Sequence, residues 1–87
     1  MNDEIKTLAD ELGHDPETVQ QMVDGTLRVL ARWVRGGLAI DEISEPVIAA
    51  ALHLYAENYR HQCHKAYLHR TQFARLVLNL IAAKTPA

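Results

Sequence analysis

A single cysteine, Cys63, leaves this sequence unable to form an internal disulfide, which fits a chain kept in a reducing compartment. No apolar run approaches the roughly 18 residues of a membrane span. The acidic start Met1-Asn2-Asp3-Glu4 is unlike a signal peptide, which needs a basic and then an apolar segment. A cytoplasmic location is therefore expected. Gly-rich phosphate loops, G-x-S-x-G, H-E-x-x-H and C-x-x-C are all missing, and Cys63 has no histidine three or four residues away to serve as its base. Neither an enzyme nor a bound cofactor is expected. Strand-like alternation is also lacking, so the fold class expected is all-α.

What is present is a chain of 87 residues, long enough for one small domain burying roughly 60–65% of its unfolded surface. Hydrophobic residues at 48% and charged residues at 23% are those of a folded chain. Charge is distributed unevenly. Residues 1–27 hold seven acids (Asp3, Glu4, Asp10, Glu11, Asp15, Glu17, Asp24) against Lys6 alone, a local charge of −6. Residues 28–87 hold eight Lys and Arg against Asp41, Glu42, Glu45 and Glu57, a local charge of +4. The two ends are thus expected to attract each other, within or between chains, or to face different partners.

Helical periodicity organises the chain. Ile5, Leu8, Ala9 and Leu12 recur at helical spacing up to Gly13, a left-handed cap. Asp15 is placed to cap the next helix, with Pro16 at its first position. From there Val19, Met22, Val23, Leu27, Leu30, Trp33 and Val34 keep one apolar face to the Gly36-Gly37 pair, a helix of about 20 residues with Gly25 as its weak point. Leu38 to Ile43 form a short connection, and Ser44 is the next cap because Pro46 is tolerated only in a first turn. Beyond it Ile48, Leu52, Tyr55, Tyr59, Gln62, Ala66, His69, Phe73, Leu76 and Leu80 follow the 4-3 spacing of a coiled-coil seam. One long helix dimerising through this seam is the preferred expectation. A helical hairpin bent near Cys63, at the polar middle, is the alternative. Three or four helices and a homodimer follow.

Residues 6–25 carry Ala9 where two helices would cross, Gly13 in the turn, Leu8 and Leu12 inside the first helix, and Val19 and Met22 anchoring the second. In these features the segment resembles the helix-turn-helix of phage repressors and related bacterial regulators. That resemblance implies that the second helix offers its outward side chains to DNA, with Gln20 and Gln21 reading adenine edges. The segment departs from the pattern in carrying Asp15, Glu17 and Asp24 outward and no base, so its face repels phosphate. The expected function is accordingly that of a small non-enzymatic regulator binding another protein, of adaptor, antitoxin-like or phage-inhibitor kind. Its acidic N-terminal face would consist of Asp10, Glu11, Asp15, Glu17 and Asp24. A helix-turn-helix transcriptional regulator is the alternative.

Two further sets of side chains bear on function. Arg28, Arg32 and Arg35 form one stripe on the second helix, and Arg60, Lys65, Arg70 and Arg75 lie in a later segment interleaved with aromatics. Together they are the candidates for nucleic acid or an acidic protein. His53, Glu57, His61 and His64 fall within about 80° of one helix face, where histidine and carboxylate can share a divalent metal. They support a third reading, a metal- or pH-responsive helical module.

Overall fold

The computed structural model describes residues 3–58 and 70–84, and all of its regular structure there is helical. Helix α1 spans Asp3–Leu12 and buries Ile5, Leu8, Ala9 and Leu12, with Asp3 and Glu4 at its positive end. It stops at Gly13, whose φ of 68° lies in the left-handed region. There the N–H of His14 donates to the carbonyl of Ala9 at 2.9 Å, and that of Gly13 to Asp10 at 3.3 Å, the paired closure of a Schellman motif. Helix α2, Pro16–Arg35, begins at once. Asp15 is extended at its N-cap, its carboxylate accepts the N–H of Glu17 at 3.3 Å, and Pro16 takes the first position. The far end repeats the same closure: Gly37 has φ 121°, and Leu38 donates to Trp33 at 2.9 Å.

A 3₁₀ turn, Ile40–Glu42, leads into α3, Glu45–Asn58, and the last described helix, α4, is Arg70–Lys84. The carbonyl of Ser44 accepts the N–H of Ile48 at 3.0 Å, so Ser44 stands where a cap is expected and Pro46 falls in the first turn. Each helix packs on its neighbour along the chain, and α4 closes the ring against α1. The core inside draws on all four, among them Ile5, Met22, Val23, Ile48, Leu52, Phe73 and Val77.

One continuous helix from Pro46 onward is ruled out. Arg75 Nε donates to Glu45 Oε1 at 2.9 Å, whereas 30 residues of unbroken helix would hold the two about 45 Å apart. The chain instead lays α3 against α4. Ile48, Leu52, Phe73 and Leu76 of the expected seam are buried in the core, and Tyr55 and Leu80 pack partly buried against it. A 4-3 spacing suits a bundle helix as well as a dimer seam, and here the facing surface is supplied by the same chain. The seam therefore gives no ground for a dimer. Tyr59, Arg60, His61, Gln62, Cys63, His64, Lys65, Ala66 and His69 lie outside the described residues.

Gly25 is not the weak point of α2. It is buried, and a Cβ there would overlap the ring of Tyr55 from α3, so its missing side chain is what lets the ring settle on the α2 backbone. Its neighbour Thr26 is fully buried, and its hydroxyl has no hydrogen-bond partner among the described residues. Two opposite stability changes follow. Gly25→Ala gains about 1 kcal/mol of helix propensity but loses about 1–3 kcal/mol to overpacking, for a net loss in urea unfolding. The loss should disappear in a Tyr55→Ala background; if it persists, the ring is not its cause. Thr26→Val keeps the shape and removes a buried hydroxyl, and is expected to stabilise by about 1 kcal/mol. A clear loss of stability would show that the hydroxyl is satisfied after all.

Candidate functional site on the second helix

The inward side of α2 is set by Val19, Met22, Val23, Thr26, Val29 and Leu30, all buried. At about 100° per residue the opposite side must then carry Glu17, Asp24, Arg28 and Arg35 within an arc of about 40°, flanked by Gln21 and Arg32. All six are exposed. The first half of this stripe is acidic and amide, the second half contains only arginine as its charged residue. Arg28, Arg32 and Arg35 form no ion pair among the described residues. Along the edge of the basic half runs an apolar row of Leu27, Ala31 and Val34, with Ala31 exposed and the other two half-buried. Just beyond the helix Ile40 is 54% exposed, the most exposed large hydrophobic side chain among the described residues. Arginine beside apolar surface is the composition found at the centres of protein interfaces.

The remaining candidates are scattered or occupied. Asp10 and Glu11 are exposed on α1, while Asp15 is engaged at the cap of α2. Gln20 donates its amide to Asp24 at 2.9 Å, which steadies that carboxylate and engages one of the two glutamines suggested for base reading; Gln21 is exposed. Arg70 and Arg75 are exposed on α4, and Arg75 is paired with Glu45, so the arginines of α4 do not extend the α2 stripe along its helix. His53 Nε2 and Glu57 Oε1 lie 3.4 Å apart as an exposed i, i+4 pair. Among the described residues no three metal-binding side chains come together, and His61 and His64 lie outside them. No described helix is long and apolar enough to cross a membrane.

Two features escaped the sequence. An open groove of about 380 Å³ lies between α1 and α4, with Asp3, Glu4 and Glu11 on one wall and Gln72, Arg75 and Asn79 on the other. No periodicity within either helix could reveal it, because it arises from how closely the two lie. The row Leu27, Ala31 and Val34 did leave a signal. The apolar arc of α2 is wider in its second half than in its first, and the excess reaches the side of the helix next to the arginines.

Exposed ion pairs contribute little, and the Glu45–Arg75 side chains are 38% and 66% exposed. Arg75→Ala is therefore expected to lower stability by under about 1 kcal/mol, and by less still at high salt. A loss above about 2 kcal/mol in chemical denaturation would instead make the pair a main tie between α3 and α4. Comparison of the chain with protein-family models, with curated proteins and with solved structures gives no match.

Proposed function

We propose that this chain is a small non-enzymatic regulator that acts by binding another protein through the outer face of α2. One observation carries this reading: the exposed stripe of α2 is acidic in its first half and purely basic in its second, with an apolar row beside the arginines. The core leaves these charged side chains on the exposed side of α2. A uniform polyanion matches only half of such a surface, whereas a folded protein can present charge of both signs. The acidic side chains Asp10 and Glu11 add further exposed negative charge on α1. We place the protein in the cytoplasm, where a lone cysteine stays reduced.

A second reading, nucleic-acid binding, is favoured by one observation, the run Arg28, Arg32 and Arg35 without carboxylate partners among the described residues. It is weakened by Glu17 and Asp24 on the same stripe, which repel the phosphates that the arginines would attract. As a helix-turn-helix regulator the chain would lead with acids, since Asp15 caps α2 and Glu17 lies in its first turn.

The two readings separate on charge reversal and salt. Affinity capture from the source cell should retain a specific protein that Arg28→Glu/Arg32→Glu loses by about tenfold, with the helical circular dichroism unchanged. Tight binding to mixed duplex DNA that falls steeply between about 50 and 200 mM salt would favour nucleic acid instead.

A further inference from the structure

We propose that the outer stripe of α2 pairs with the same stripe of a second copy of this chain, the two helices antiparallel about a twofold axis. Glu17, Asp24, Arg28 and Arg35 are all exposed and share an arc of about 40°. Their spacing is what points to a second copy. Measured from the midpoint between Asp24 and Arg28, those two residues lie about 3 Å to either side along the axis, and Glu17 and Arg35 about 13 Å to either side. One antiparallel register therefore sets Asp24 opposite the partner's Arg28 and Glu17 opposite the partner's Arg35. In a twofold interface each pairing occurs twice.

The edges of the stripe agree with this register. A twofold axis brings like edges together, so Gln21 comes beside the partner's Arg32, and Leu27 beside the partner's Leu27 near the axis. Leu27 is half-buried, and its remaining exposed surface would be covered there. A parallel pairing would set acid on acid and arginine on arginine, so charge selects the antiparallel one. Gln20, through its bond to Asp24, keeps that carboxylate oriented on the helix surface. Because exposed ion pairs contribute little each, the association is weak and sensitive to salt. This self-pairing rests on the proposal that the α2 face is the recognition surface; being weak, it yields that face to a captured partner, and it takes over the dimer role of the α3–α4 seam, which the core consumes.

Sedimentation equilibrium of the full chain over a concentration series tests it. The wild type should dimerise at about 20 mM salt and dissociate progressively towards about 500 mM. Asp24→Arg and Arg28→Asp should each weaken self-association by about tenfold, because each sets like charges across the axis. The double variant Asp24→Arg/Arg28→Asp should recover to within about threefold of wild type, and the two single variants should associate when mixed. Loss of fold cannot imitate that recovery. A wild type that stays monomeric at low salt, or a dimer that neither single variant weakens, overturns the pairing. A monomer that nonetheless loses its captured protein on Arg28→Glu/Arg32→Glu overturns the self-pairing alone and leaves the protein-binding role standing.

Discussion

The ring of Tyr55 occupies the space where residue 25 would carry a Cβ, and the rest of the bundle depends on that contact. Helices normally pack with their axes about 8–10 Å apart, a distance set by the side chains between them. With glycine on one side and an aromatic on the other, α3 can sit on the backbone of α2 at mid-length. Thr26 and Val29 then turn inward next to it, and Ile48 and Leu52 on α3 meet the same interior. Once α3 is fixed in this way, α4 has Ile48, Leu52 and Ala56 to cover, and α1 closes the remaining side with Ile5, Leu8 and Leu12. Thr26 marks a tension in the arrangement, since its hydroxyl is buried with no hydrogen-bond partner among the described residues.

The same packing decides what is left for function. Helix α2 has 20 residues and α1 only 10, so the second half of α2 runs past its first partner. That half carries Arg28, Arg32 and Arg35 outward, with Leu27, Ala31 and Val34 at their side. Ends capped by Asp15 and by the Gly36–Gly37 closure hold α2 to a defined length, and its charges stand at defined spacings as a result. A rigid rod with opposite charge at its two halves is suited to an oriented partner.

The first half of the chain was largely legible from its residues. Glycine at a left-handed position, an aspartate before proline and a 3-4 apolar spacing act locally, within a turn or two, so they settle the bounds of α1 and α2 without knowledge of the fold. Gly25 was misjudged for the same reason: propensity sees only its own helix, and the compensating ring lies 30 residues away in sequence on α3. The candidate site was legible in part. The arginine stripe and the acids of α2 could be placed by angle alone, but the capture of Arg75 by Glu45 and the engagement of Gln20 with Asp24 needed coordinates.

By itself the sequence determined an all-helical chain, the ends of its first two helices, part of the inward face of each helix and a charge polarity from acidic to basic. Those properties depend on contacts within a few residues, where geometry is common to every α-helix. Only the tertiary structure decided which surface each inward face meets. Ile48, Leu52, Phe73 and Leu76 have the spacing of a dimer seam, yet they lie against one another's helices inside a single core. Periodicity states that a face must be buried, and burial within the same chain avoids the added loss of freedom that joining two molecules entails.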